Sequence, residues 1–298
     1  MRIIIFGTGA MACLFGARLS QVAHVTLIGT WKEAIRAIRE RGILVEDSHE
    51  SRKFQVNAEY LGAQLMPADL VIVLVKSWQT KGAAEYLPRY LKSDGLAISL
   101  QNGLGNVELL GARAFPGTTA EGATLLGPGH VRTGGSGPTH VVAPAQIVEL
   151  LKSAGFESYQ CSPGEADGLL WGKLAISCGI NALTAILRVP NGELLKRPSA
   201  ADLMIRAATE CYAVAHARGV RLPFADAAVR VREVAERTAA NKSSMLQDVL
   251  RGAPTECDAI NGAVVCEGRR LKVPAPVNEI LWQLVKAAVE QKNRSDLQ

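Results

Sequence analysis

The 298-residue chain is poor in aromatic side chains: six Phe, four Trp and five Tyr make up 5% of it. No basic run is interleaved with them, so the pattern that grips nucleic acid is missing. The six cysteines, Cys13, Cys161, Cys178, Cys211, Cys257 and Cys266, form no Cys-x-x-Cys pair, and no Cys/His group has zinc spacing. The expectation is no metal site and cysteines that behave as small buried hydrophobes. The chain opens directly on a strand pattern without the features of a signal peptide, which together with the lone cysteines predicts a cytoplasmic protein. No Gly-x-Ser-x-Gly elbow and no P-loop is present, so serine hydrolysis and nucleoside triphosphate hydrolysis lack support. The net charge of +5 is spread along the chain, and no internal repeat occurs. The stretch from Leu169 to Val189 is apolar enough to suggest a membrane span, but Lys173, Asn181 and Arg188 interrupt it. Such residues are costly at a bilayer centre, so a buried helix with a polar seam is predicted.

What is present begins at the first residues. Ile3, Ile4, Ile5 and Phe6 read as a buried strand, and Leu14, Phe15, Ala17 and Leu19 follow at helical spacing. Between them lie Gly7, Thr8, Gly9, Ala10, Met11 and Ala12, the dinucleotide-binding fingerprint with Ala in its third glycine position. Gly7 permits the tight turn, Gly9 lets a pyrophosphate approach the backbone, and free N–H groups at the helix start face the phosphates. A second strand at His24–Ile28 leads to a helix at Lys32–Arg41 and an extended Ile43–Glu46, with which Arg52–Asn57 is expected to pair. Leu70–Val75 reads as a fully buried parallel strand, followed by a helix near Thr80–Leu91 and a strand at Leu96–Leu100. This alternation predicts a doubly wound sheet. The Gly- and Thr-rich stretch 117–139 predicts short antiparallel strands. A helix at Gln146–Ala154 and a strand near Phe156–Gln160 close an α/β domain, residues 1–162. Residues 163–298, almost wholly helical in pattern, form a second, all-α domain with a boundary turn at Ser162-Pro163-Gly164.

Three stretches carry candidate chemistry. A helix beginning at Gly172 places Lys173, Ser177, Asn181, Thr184 and Arg188 within a sector of about 80°. Such a stripe either lines a wet or charged site or is the helix's solvent face. Ser244, Gln247, Asp248 and Arg251 share another helical face. After Pro254, Thr255 and Asp258 have the spacing of a capping box that would put Glu256 in a helix's first turn. Lys76 and Gln101-Asn102-Gly103 each follow a parallel strand, where ligands of open sheets bind, although a turn explains Asn102-Gly103 equally well. No histidine sits in an acid/base pairing. A lysine whose pKa is lowered by desolvation is the better proton donor.

Five stretches together resemble the ketopantoate reductase (2-dehydropantoate 2-reductase) family. They are Gly7–Ala12, Val75-Lys76, Gln101-Asn102-Gly103, Lys173 through Asn181 to Asn191-Gly192, and Ser243–Asp248 followed by Thr255-Glu256 and Ile260-Asn261-Gly262. The resemblance implies a Rossmann-type domain followed by an all-α domain, in the 6-phosphogluconate dehydrogenase-like arrangement. It implies NADPH-dependent reduction of ketopantoate to pantoate on the way to pantothenate and coenzyme A. Lys173 would be the general acid and Glu256 would hold it. Asn102, Ser177, Asn181, Asn191 and Ser244 would contact the 2-oxoacid. Thr8, Ala10, Met11, Thr30, Lys32 and Lys76 would join the glycine turn, Asn102 and Glu256 around the cofactor. Members often pair through the helical domain, so a homodimer is the expectation for partners, with no nucleic acid and no membrane. The chain departs from the family pattern in two respects: Ser177 stands where Asn is usual, and Thr30 and Lys32 stand in place of an arginine after the second strand. No Asp or Glu lies in Ile28–Lys32 to hold a free ribose 2′-hydroxyl, which favours NADPH. The alternatives are a related reductase of another branched 2-oxoacid and a non-catalytic NADPH-sensing protein.

Overall fold

The computed structural model describes residues 1–295, with the backbone alone from 290 onward. The strands are β1 (Arg2–Phe6), β2 (His24–Gly29), β3 (Ile43–Glu46), β4 (Ser51–Phe54), β5 (Asn57–Tyr60), β6 (Ala68–Val73), β7 (Leu91–Ser99), β8 (Ala114–Thr119), β9 (Gly122–Gly127), β10 (His130–Gly135), β11 (Thr139–Val141) and β12 (Ser158–Gln160). The helices are α1 (Ala10–Leu19), α2 (Lys32–Arg41), α3 (Thr80–Tyr90), α4 (Asn106–Leu110), α5 (Ala145–Ser153), α6 (Pro163–Leu187), α7 (Pro198–Ala217), α8 (Ala227–Arg237), α9 (Ser244–Arg251), α10 (Ala263–Leu271) and α11 (Pro276–Ser295). They divide into two compact units. One comprises Met1–Gln101 with Asn106–Ala166, the other Asn102–Gly105 with Asp167–Gln298.

The first unit is built on an eight-stranded sheet in the order β12-β11-β8-β7-β6-β1-β2-β5. From β5 to β8 every pair is parallel, so six strands run in the doubly wound order with its switch point between β1 and β6. The continuous apolar runs of β1 and β6 follow from burial on both faces: Ile3, Ile4, Ile5, Leu70, Val71 and Val73 are all essentially inaccessible. The pattern at Arg52–Asn57 resolves into two elements. β4 pairs antiparallel with β3, while Asn57 begins β5, which joins β2 in parallel at the sheet edge. Burial of Val56 and Ala58 on the core side decides that split. The glycine-rich stretch does form antiparallel pairs, β9 with β10 and β8 with β11. The β9–β10 hairpin, however, leaves the main sheet, pairs with β3 in parallel and packs over α1. α1 is therefore covered on nearly every side, and a Cβ on Gly16 would come within 2.6 Å of Leu27 Cδ1. The short helix α4 has no counterpart in the sequence reading.

The second unit is helical around a core that includes Trp171, Leu174, Cys178, Met204, Cys211, Val231, Val264 and Leu281. α6 starts at Pro163, nine residues before Gly172, and the Ser162-Pro163-Gly164 turn is its entry. Ser162 Oγ accepts from Glu165 N–H at 3.3 Å, and Ser162 N–H donates to Glu165 Oε2 at 2.8 Å. That reciprocal pair is a capping box, with Pro163 in the first helical position where its missing N–H costs nothing. At the other end Val189 N–H donates to Thr184 O at 3.2 Å, Arg188 turns left-handed (φ 55°), and Pro190 prevents continuation. α6 has the length and hydropathy of a membrane span, yet Trp171, Leu174, Ala175, Cys178, Ala182 and Leu183 are core residues of this unit.

Candidate active site

In the first unit the glycine turn lies at the switch point of the sheet. Gly7 has φ 128°, and a Cβ there would sit 3.1 Å from the Leu74 carbonyl carbon and oxygen. Only glycine fits that close approach of β1's end to β6's end. Gly9 is different: it is extended (φ −84°, ψ −170°) and a Cβ would meet nothing within 4 Å. The space over Gly9 is an open cradle beside the N-terminus of α1. No side chain caps that helix and no acidic residue sits in its first turn. A bare, positively polarised helix start with an open glycine before it fits the pyrophosphate of a dinucleotide. Ala10 and Met11 are half-buried at this turn. Thr8 and Ala12 are buried, with the Thr8 side chain against Gly29, so these two shape the turn. Thr30 and Lys32 are exposed where β2 leads into α2, and Glu33 adds a carboxylate to α2's first turn. Lys76 is half-buried beyond β6, its N–H donating to Gln79 Oε1 at 3.3 Å. Gln101 is committed to the framework, donating to Val75 O (2.9 Å) and Thr80 Oγ1 (2.7 Å).

In the second unit Lys173 projects from α6 and is half-buried. Burial drives its pKa from 10.5 down to about 8, and the negative charge of Glu256 holds it from falling further. The ammonium is thus poised to give up a proton near neutral pH. Glu256 is 5% exposed and accepts from Asn102 Nδ2 at 3.3 Å. The three residues drawn from distant parts of the sequence therefore form one cluster of acid, carboxylate and amide.

Around them the polar stripe of α6 separates into two kinds of residue. Ser177 and Asn181 are half-buried on the Lys173 face. Thr184 is wholly buried: its hydroxyl lies 2.7 Å from Ser243 Oγ and within 3.0 Å of Ile180 O and Asn181 O. Arg188 is exposed beyond the helix end. Ser243 caps α9, accepting from Leu246 N–H at 3.1 Å, and so places Ser244 at that helix's first position. Asn191 opens a 3₁₀ turn, Asn191–Leu194, seated on the chain before α9. Its N–H donates to Asn241 O, Gly192 N–H donates to Ala239 O, and Asn191 Nδ2 donates to Thr238 Oγ1 at 2.8 Å. Asn191 Oδ1 is buried with no hydrogen-bond partner among the described residues, an acceptor left over at this edge of the cluster. Asp248 is 2% exposed and bound to Arg251 at 2.9 Å, while Gln247 turns back to Lys242 O. Among the described residues no group of three His, Cys, Asp or Glu is placed to hold a metal ion.

One local expectation is overturned. Thr255 does not cap the helix after Pro254. The cap position is Cys257, without a side-chain cap, and Glu256 precedes the helix instead of lying in its first turn. The segment Asp258–Gly262 is a π-helical turn, in which Gly262 N–H reaches back five residues to Cys257 O at 2.9 Å. Ala259 O is taken by Leu104 N–H, so tertiary partners outweigh the local capping pattern. Sequence reasoning assigned no role to Thr238 or Ser243, although Ser-Ser at 243–244 before an apolar run is a legible cap signal.

Residues 3–146 match the family model "Ketopantoate reductase PanE/ApbA", and residues 165–290 match "Ketopantoate reductase PanE/ApbA C terminal". The 2-dehydropantoate 2-reductase of Halobacterium salinarum is 35% identical over 97% of this chain and 99% of its own length. The crystal structure of a PanE/ApbA family ketopantoate reductase from Ralstonia eutropha superposes with a TM-score of 0.90 at 32% identity, covering 98% of this chain and all of its own. A D-mandelate dehydrogenase solved with NADH and anilino(oxo)acetate also superposes with a TM-score of 0.90, at 25% identity over 98% of this chain and 100% of its own. The glycine cradle, the Lys173–Glu256–Asn102 cluster and these likenesses agree: the chain belongs to the ketopantoate reductase PanE/ApbA family.

Proposed function

We propose that the protein reduces 2-dehydropantoate to pantoate with NADPH, with Lys173 as the proton donor. The observation that carries this is Lys173 itself, a lysine lowered to about 8 and facing a buried carboxylate. A reduced nicotinamide, when bound, would supply the hydride that the ketone carbon accepts. Lys173 Nζ gives its proton to the ketone oxygen, so carbonyl, hydride and proton sum to the secondary alcohol. Before transfer the ammonium stabilises the charge that develops on that oxygen. Glu256 keeps Lys173 protonated and oriented, and Asn102 fixes the Glu256 carboxylate. Asn181, Asn191 and Ser244 bind the substrate carboxylate and hydroxyl groups. The unpaired Asn191 Oδ1 suits a hydroxyl donor. The Gly7–Ala12 turn would hold the pyrophosphate, Lys76 would serve the ribose, and Thr30 with Lys32 would take the 2′-phosphate. Lys32 acts there as a point charge and not as a bidentate fork. A homodimer paired through the helical unit belongs to the same reading: Ile280 and Leu284, one turn apart on α11, are exposed. Light scattering after size exclusion reads that state.

Two observations favour a second reading, an NADH-linked reductase of another 2-oxoacid. Ser177 is shorter than the asparagine usual in the family, and Glu33 lies in the first turn of α2, near where a 2′-phosphate would sit. Steady-state kcat/KM with ketopantoate and with an aryl 2-oxoacid, each with NADPH and NADH, separates the two. The first reading requires ketopantoate with NADPH to be preferred.

A further inference from the structure

The π-helical turn Asp258–Gly262 carries none of the groups assigned to proton transfer, yet several parts of the second unit converge on it. Asp258 Oδ1 accepts from Trp282 Nε1 of α11 at 2.6 Å. Ala259 O accepts from Leu104 N–H at 3.1 Å, and Gly103, at φ 81°, lies so close that a Cβ would stand 2.4 Å from the same oxygen. The loop bearing Asn102 is thus docked on the turn. Glu256 is joined to it through the backbone, because Glu256 O accepts from both Ala259 N–H and Ile260 N–H at 3.1 Å.

Asn261 is the turn's one inward amide and is completely buried. Its Nδ2 donates to Cys178 O in α6 at 3.2 Å and to Asn278 Oδ1 in α11 at 3.0 Å. Asn278 is in turn pinned by bonds to Ala207 O and Glu210, each 2.9 Å. Cys178 lies five residues beyond Lys173 on the same helix, about 7.5 Å along its axis. One side chain therefore ties the turn bonded to the Glu256 backbone to the helix that carries Lys173. A buried amide bonded to a helix carbonyl and to a second, independently anchored amide allows little sliding, since each lost bond in that setting is costly.

We propose that Asn261 is a positioning residue, whose amide sets the distance between the Glu256 carboxylate and the Lys173 ammonium. The proposal rests on the reading of Lys173 as proton donor and Glu256 as its partner. Among the described residues Glu256 is the charge that acts on Lys173, so a displaced turn changes both proton donation and the pH at which it fails. Loss of the Glu256 interaction removes the influence that raises the lysine's pKa. The high-pH limb of kcat/KM then moves to lower pH.

The test compares Asn261→Ala, Gly262→Ala and Asn278→Ala with the parent enzyme by thermal melting, cofactor binding and the pH profile of ketopantoate reduction. Asn261→Ala removes the tie. Gly262→Ala keeps the amide, but its new Cβ would meet the Trp282 indole at about 2.8 Å and push the turn. Asn278→Ala costs the buried network one partner while leaving the Asn261 bond to Cys178. The expected result is a kcat lower by roughly tenfold or more in the first two, a high-pH limb displaced downward in both, and unchanged cofactor affinity. Asn278→Ala is expected to lower the melting temperature without displacing the limb. If all three lose stability and none moves the limb, Asn261 is merely structural and the proposal is overturned. If Asn261→Ala does not fold, Gly262→Ala alone decides it by the same limb. Lys173→Ala, run alongside, tests the underlying reading: near-normal turnover there overturns the assignment of the acid, independently of the other variants.

Discussion

Gly7 and Gly9 stand two residues apart and make opposite demands. Gly7 is required by the fold, since its positive φ and the Leu74 backbone leave no place for a Cβ. Gly9 is open on the protein side, and its backbone conformation is one that alanine adopts freely. Gly7→Ala should therefore destabilise the protein by about 1–2 kcal/mol or more, seen in urea unfolding. Gly9→Ala should leave the unfolding midpoint nearly unchanged and weaken cofactor binding about tenfold or more by titration, because the methyl enters the phosphate cradle. At Lys173 the sign of the pH effect follows from the acid role. The donor is protonated below its pKa of about 8 and loses its proton above it, so kcat/KM should fall as pH rises through that value. Glu256→Gln removes the charge that holds the pKa up, and its profile should begin to fall at lower pH.

At the scale of elements, hydroxyl contacts join the pieces that carry the polar cluster. Thr184 links α6 to the cap of α9, and Thr238 holds the Asn191 turn. Thr184→Val would leave the Ser243 hydroxyl buried without that partner. It should cost about 1–3 kcal/mol in unfolding free energy and reduce kcat/KM, while Thr184→Ser should restore both. The elements were unevenly legible. β1, α1, β2, α2 and β6 follow directly from buried runs and helical periodicity, which are local signals. β5 and the placement of the β9–β10 hairpin do not, because parallel pairing to β2 and β3 depends on partners far away in sequence. The start of α6 was hidden because Ser162-Pro163-Gly164 reads as a turn, and only Glu165 reaching back to Ser162 converts it into a helix entry. Lys173, Ser177 and Asn181 were readable as neighbours because one helix spaces them. Asn261 was not, since its partners are a helix carbonyl and another amide, neither with a sequence signature.

For the whole molecule, the proposed chemistry draws on residues of both units. The nucleotide turn and the residues after β2 and β6 belong to the first, while Lys173, Glu256 and Asn102 belong to the second. Changes in one should therefore read out separately from changes in the other. Lys32→Ala should lower kcat/KM with NADPH by about tenfold, the worth of one charge-assisted phosphate contact, and leave activity with NADH unchanged. The position of the kcat pH limb should also stay where it is. The most direct test of the central claim is NADPH oxidation in the presence of ketopantoate, measured across pH for the parent enzyme and for Lys173→Ala. The account predicts turnover that declines above pH of about 8 in the parent and a loss of roughly 10²-fold or more in the variant, with NADPH still bound. Turnover in Lys173→Ala close to that of the parent would contradict it.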